Sequence, residues 1–289
     1  MRSVLMLASM LSLVAPILAA QDDPVDIKSG FVTTGDGIQL HYLEAGSGAA
    51  IVFVPGWTGA AEFWEPQIRY FSRSHRVVAL DPRSQGDSTK TSEGNYTERR
   101  AEDIKELIDH LGLAPAVVVG WSRAVSEVVS LVDQFGTAPL RAVVFVDGAV
   151  GEEPTPESIR QAATAMKEMQ LNRRQYTDQQ ARTMFHKPHS EEFYQKIIAA
   201  NLKTPTNTAV VLQLEMLQLD YRAALRKLDR PVMFVGQGEG PGKQAEIVKA
   251  EVPTARIELF TDSGHALFLD DPERFNAVLE YFLNSTVPH

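Results

Sequence analysis

The 289-residue chain contains no cysteine. That excludes a disulfide framework, thiolate metal ligation and a thiol nucleophile, so stability rests on a packed core. Basic residues are the scarcer charge, with 28 Lys and Arg against 37 Asp and Glu and a formal net charge of −9. That sign argues against nucleic acid or an anionic membrane surface as partner. The seven histidines form no H-x-x-x-H motif and no paired His/carboxylate cluster, so no metal is expected. A glycine-rich nucleotide loop is also missing, which sets aside a kinase or a dehydrogenase. The long apolar run is residues 1–20, MRSVLMLASMLSLVAPILAA, with one arginine near its start and small residues before Gln21. It reads as a cleaved export signal rather than a membrane span, and predicts a periplasmic or extracellular protein with no stable membrane insertion afterwards. Leu18, at the −3 position of an Ala20/Gln21 cut, is not small, so a retained anchor is the alternative.

What is present centres on residues 116–124, AVVVGWSRA. A β-branched run ends at Gly120, Ser122 follows, and the residues from Val125 to Gln134 read as a helix. A serine on a sharp strand-to-helix turn stands clear of its own backbone, and the next N–H groups point at the oxygen it attacks. Around it the chain alternates apolar strands with amphipathic helices. Strands are expected at 29–34 and 38–44 (an edge hairpin across Gly35-Asp36-Gly37), 50–55, 76–80, 116–120, 140–146, 231–235 and 256–260. Helices are expected at 62–71, 97–111, 243–250 and 272–283. Apolar strands separated by helices predict an α/β fold with a mostly parallel central sheet. Between about 154 and 230 no strand is convincing, and helices are expected at 157–171, 177–185, 191–202 and 208–227. This divides the mature chain into a core at 21–153, an inserted helical cap at 154–228 and a second core part at 229–289. The cap's apolar residues, including Met166, Met169, Met184, Phe185 and Met216, are expected mostly to pack among themselves, with some facing the C-terminal edge of the sheet.

A serine nucleophile requires a base, an acid and oxyanion donors. His265, in Asp262-Ser-Gly-His, falls past a strand and before the last helix, where it reaches the same sheet edge as Ser122. The backbone N–H groups of Trp57, in Val54-Pro-Gly-Trp, and of Arg123 are the expected oxyanion donors. Asp81 and Arg83, in Asp81-Pro-Arg-Ser-Gln-Gly-Asp-Ser88, read as loop braces that shape the entrance together with Gly86. Two acids are available. Asp147 directly follows the strand at 140–146, whereas Glu239 lies in the glycine-rich loop 236–242. Flanking glycines give Glu239 a mobile support, and Asp147 is favoured.

With Val54-Pro-Gly-Trp57, Asp81–Ser88, Gly120-Trp-Ser-Arg-Ala124 and Ser263-Gly-His265 in this order, the chain resembles the α/β-hydrolase fold superfamily over roughly residues 30–283. In particular it resembles esterase-like members with a helical cap. Members usually carry His-Gly where this chain has Pro55-Gly56, glycine where it has Ala124, and a small residue where it has Val125. The resemblance implies a serine hydrolase with a covalent acyl-enzyme and no metal or organic cofactor. Ser122 would be the nucleophile, His265 the base, and the Trp57 and Arg123 N–H groups the oxyanion hole. Some members place their acid at the position of Asp147 and lack one in the later loop. The expected substrate is a small to medium hydrophobic ester or lactone. C–C or amide cleavage on the same residues, or an exported binding protein that has lost turnover, are the alternatives. Peracid formation would be a side reaction of the same acyl-enzyme. The oligomeric state is left open.

Overall fold

A computed structural model describes residues 25–151, 153–240 and 242–286; the export segment read at 1–20 lies outside the described residues. Among the described residues eight strands form one sheet: β1 (Lys28–Thr33), β2 (Gln39–Ala45), β3 (Ala50–Val54), β4 (Arg76–Leu80), β5 (Ala116–Trp121), β6 (Leu140–Val146), β7 (Val232–Gln237) and β8 (Arg256–Phe260). Their spatial order is β1-β2-β4-β3-β5-β6-β7-β8. The first hairpin pairs antiparallel and β2 joins β4 antiparallel, while every pairing from β4 to β8 is parallel.

The central strands β3 and β5 are buried along their whole length, which is why they read as unbroken apolar runs. Alternate side chains feed opposite layers. Val52, Val54, Val118, Val143 and Phe145 pack against α2 (with α1 being Glu65–Phe71 and α2 Thr97–His110), α3 (Ala124–Phe135) and further helices on that face. Ile51, Phe53, Val119, Val144 and Val146 pack on the other face against α1 and the C-terminal helix. The parallel order puts the C-terminal ends of β3, β5, β6 and β8 on one edge, where the sequence had placed its motifs.

Five helices sit between β6 and β7 as an inserted cap: α4 (Pro156–Leu171), α5 (Arg173–Thr183), α6 (Glu191–Leu202), α7 (Thr206–Glu215) and α8 (Arg222–Leu225). After β7 come α9 (Gly242–Glu251), α10 (Leu267–Asp270) and α11 (Pro272–Thr286). Two cap expectations are corrected. The helix expected at 177–185 starts at Arg173, because the Asn172 side chain caps it by accepting from Gln175 N–H at 3.1 Å. The helix expected at 208–227 breaks after Glu215. There the chain is pulled back to the exit of β6 by Tyr221 N–H donating to Val150 C=O at 2.8 Å and a bridge between Gly151 and Asp220. The cap's apolar residues divide, as expected, between packing of their own and contact with the core. Met169, Tyr176, Ala209 and Val210 form a cap cluster, but Phe185, Phe193, Ile197 and Ile198 join the layer beneath the sheet. Among the described residues no helix is long and apolar enough to cross a membrane.

Under the sheet edge, α2 and α3 are joined by buried charge. Arg100 Nε donates to Glu127 Oε1 at 2.6 Å, and Arg123 Nε lies 3.3 Å from the same oxygen; all three residues are about 1 % exposed. Burial pulls the Arg100 guanidinium below its ordinary range, and Glu127 opposes that shift. Because one carboxylate faces two guanidinium groups, Glu127→Gln leaves two buried cations facing each other. Urea unfolding of this variant should show a loss of about 3–5 kcal/mol. Arg160→Gln, which breaks an exposed ion pair on α4, should cost no more than about 0.5 kcal/mol.

Candidate active site

Ser122 follows β5 directly and sits at φ +57°, the left-handed region that a non-glycine residue rarely adopts. Its N–H donates to Val146 C=O at 2.8 Å, so the turn is pinned to the neighbouring strand β6. The chain then enters α3 at Ala124, with Arg123 as its N-cap in helical geometry. Room for so tight a turn comes from absent side chains. A Cβ on Gly120 would lie 2.8 Å from Ala124 C=O, and one on Gly148 would lie 2.2 Å from Ser122 C=O and 2.4 Å from Val125 Cγ2. The bulk of Val125 is therefore taken up by Gly148, and the turn survives it.

The structure brings three of the candidate side chains together. His265 Nε2 is 2.9 Å from Ser122 Oγ, and its Nδ1 is 2.7 Å from Asp147 Oδ2. The carboxylate accepts from Nδ1–H, which leaves Nε2 free to accept from the serine hydroxyl. Asp147, at φ +42°, receives Gln237 N–H at 3.3 Å on Oδ1 and Gln237 Nε2 at 3.0 Å on Oδ2. Gln237, the last residue of β7, thus holds Asp147 from the start of the loop that bears the alternative acid, while Glu239 is exposed in the turn beyond it. Trp57 is the second residue of a turn closed by Gly59 N–H to Gly56 C=O at 3.1 Å. Gly56 lies so close to Ser122 that a Cβ there would come within 2.7 Å of the serine Cβ. The residues carrying both expected oxyanion N–H groups, Trp57 and Arg123, accordingly flank Ser122.

Asp81, Arg83 and Gly86 do not shape the entrance as expected. Asp81 and Arg83 are buried, and the Gly86 backbone presses on the Asp81 carboxylate, which a Cβ would meet at about 2 Å. The absence of a paired His/carboxylate cluster is also corrected. His41, Asp81 and Asp87 bring their side-chain ligand atoms within 4.8 Å of one another. That group braces the loop: His41 Nδ1 is 2.7 Å from Asp81, which also accepts from the N–H groups of Ala61 at 2.6 Å and Asp87 at 2.7 Å. Gln85 extends the bracing to the oxyanion turn. Its Nε2 donates to Gly56 C=O at 2.9 Å and Gly59 C=O at 2.7 Å, and its Oε1 accepts from Arg100.

Above the serine lies a cavity of about 340 Å3, lined by Ser122, His265, Trp57 and Trp121 from the core and by residues of α5, α6 and the α7 end from the cap. Met184 and Met216 supply the expected apolar lining, but Arg173, Thr177, Gln180, Asn201 and Gln213 make the cap side polar. The Arg123 side chain links elbow and cap by donating to Leu212 C=O at 3.0 Å and pairing with Glu215.

Sequence reasoning missed Asp270, which holds the histidine loop. This buried carboxylate accepts from Gly264 N–H at 2.6 Å, from His186 N–H at 2.7 Å and from Lys187 N–H at 3.4 Å, with His189 Nε2 at 2.9 Å. The signal available was its place five residues after His265, at the end of a short helix. Burial raises its pKa, but these donors outweigh burial and hold it below the ordinary 3.8. Its stabilising contribution is therefore full above about pH 4 and is lost as pH falls through the lower folded value. Asp270→Asn should melt below wild type at neutral pH, and the gap in Tm should close towards pH 3; a gap independent of pH would contradict this. Gly56→Ala, whose new Cβ would press on the Ser122 Cβ, should melt below wild type.

Residues 51–278 match the model of the alpha/beta hydrolase family. A non-heme chloroperoxidase from Kitasatospora aureofaciens is 25% identical over 281 residues, covering 87% of this chain and 98% of that protein. A bifunctional esterase/perhydrolase from Acinetobacter calcoaceticus is 26% identical over 284 residues, covering 89% and 100%. Among solved structures, an esterase from Exiguobacterium antarcticum superposes with a TM-score of 0.82 at 21% identity, covering 88% of this chain and 99% of that one; this is a likeness of fold. With its sheet order, inserted cap and sequence match over most of its length, the chain belongs to the alpha/beta hydrolase family.

Proposed function

We propose that this protein is a serine hydrolase that cleaves a small to medium ester or lactone through an acyl-enzyme. The observation that carries the reading is His265 lying between Ser122 Oγ at 2.9 Å and Asp147 Oδ2 at 2.7 Å, at the floor of a cavity. Ser122 Oγ attacks the substrate carbonyl while His265 Nε2 takes the hydroxyl proton, and Asp147 stabilises the imidazolium that results. The tetrahedral oxyanion is met by the backbone N–H groups of Trp57 and Arg123, each such donor being commonly worth about 3 kcal/mol in the transition state. His265 then protonates the leaving alcohol. A water, deprotonated by His265, attacks the acyl carbonyl and releases acid and free serine. Hydrogen peroxide in place of that water would give a peracid, a side reaction suggested by the esterase/perhydrolase relative. Export, read from residues 1–20, is proposed with this activity.

Labelling by a serine-reactive phosphonate should fall on Ser122, and Ser122→Ala should lose labelling and at least about three orders of magnitude of kcat while staying folded. Retention of a tenth of wild-type rate would exclude Ser122 as nucleophile. Asp147→Asn should cost on the order of 10³ or more in kcat at neutral pH, and Glu239→Gln less than about tenfold. The opposite ranking would move the acid to Glu239.

A further inference from the structure

One cation in the cavity has no counter-charge. Arg173, in the first turn of α5, lines the same cavity as Ser122 and His265. Its guanidinium lies 5.4 Å over the Trp57 ring, and the indole is itself fixed by Nε1–H donating to Ala209 C=O at 2.8 Å. The Arg173 side chain makes one long hydrogen bond, Nη2 to Asn201 C=O at 3.4 Å. Nε and Nη1, which hold three of its five N–H donors, are buried without a partner. The four most deeply buried arginines, Arg83, Arg99, Arg100 and Arg123, each sit on a carboxylate. Among the described residues Arg173 pairs with none, and no Asp or Glu lines the cavity. Burial lowers its proton affinity, opposed by Tyr176.

Arg173 is partly buried, and a guanidinium with two of its nitrogens shut off from water and no anion beside it carries a desolvation cost that an arriving anion would offset. The stacking on Trp57 offsets part of that cost, but it leaves the N–H donors unused. Among the polar groups that share the cavity, Thr177, Gln180, Asn201 and Gln213 are neutral, so they neither repel nor replace an incoming anion. Near Ser122 and His265, Trp121, Met184 and Met216 provide apolar wall.

We infer that the substrate carries a carboxylate, which seats at Arg173 while its ester or lactone carbonyl lies at Ser122. The inference rests on the serine hydrolase reading for the position of the carbonyl. The acid group gives charge-assisted hydrogen bonds to the guanidinium and fixes which end of the molecule enters first. Arg173 is thereby a specificity-determining residue of the cap rather than part of its packing. The small cavity matches a short acyl chain ending in a carboxylate, as in a half-ester of a dicarboxylic acid.

The test compares two p-nitrophenyl esters of equal chain length, the half-ester of glutaric acid and the neutral valerate. Wild type should favour the glutarate ester at least about tenfold in kcat/KM, and Arg173→Gln should lower the glutarate-to-valerate ratio by about 30-fold, mainly through KM. Arg173→Lys should restore part of the ratio, and the exposed Arg160→Gln should leave it unchanged. Valerate turnover with no glutarate preference, or a ratio that Arg173→Gln does not move, overturns the inference and leaves the hydrolase reading standing. Failure to cleave either ester with no phosphonate label on Ser122 sinks the hydrolase reading instead. Calorimetry of glutarate into folded Ser122→Ala then decides the Arg173 assignment without turnover. Binding that Arg173→Gln removes supports it, and no binding, or binding insensitive to that substitution, overturns it.

Discussion

The left-handed backbone at Ser122 is the constraint around which the sheet edge is arranged. A non-glycine residue at φ +57° costs on the order of 1–3 kcal/mol and persists only when its surroundings over-determine it. Here the hydrogen bond from Ser122 N–H to Val146 C=O fixes the turn against β6, and α3 begins at once behind it. Three glycines, at 56, 120 and 148, let the backbones of three different segments close on it. The outcome is a hydroxyl on a short turn locked between β5, β6 and α3, which is the condition for a reacting group to keep its geometry.

The groups around the hydroxyl are held by partners of their own. His265 follows Gly264, whose N–H is gripped by Asp270, and Asp270 also grips the N–H of His186 in the cap. One buried carboxylate therefore sets the histidine loop and a cap segment relative to each other. On the opposite side, Arg100 reaches Gln85, Gln85 holds the carbonyls of Gly56 and Gly59, and Glu127 joins Arg100 to Arg123. Arg123 then crosses to Leu212 and Glu215 of the cap. Such a network is stable only when its members stay paired, because an unpaired buried charge costs more than the pair contributes. The cap is thus fixed at both ends of the cavity through groups that also position the site.

Much of this was legible because it is local. Apolar runs ending in Gly120, Asp147 and Pro55 mark strand ends, and sequence order alone puts parallel strand ends on one edge. Ser122, His265, Trp57 and Arg123 could be named from turns and strand ends, and Asp147 could be preferred over Glu239 from the glycines flanking the latter. The cap was harder. Its helices follow caps and kinks such as Asn172 and the Gly151–Asp220 bridge, whose partners are distant in the chain.

By itself the sequence determined the α/β alternation, the inserted helical block and the strand ends bearing candidate residues, since strand and helix periodicities and turn residues act over a few positions. Only the tertiary structure decided that Gln237 braces Asp147, that Asp270 holds the histidine loop, and that Asp81, Arg83 and Gly86 lie buried instead of at an entrance. It also decided the character of the cavity. The methionines and other apolar residues of the inserted block suggested an apolar cap, but which side chains face inward depends on how its helices pack over one sheet edge. That packing put Arg173 beside Trp57 with no acid in reach, because counter-charges are found through space and not along the chain.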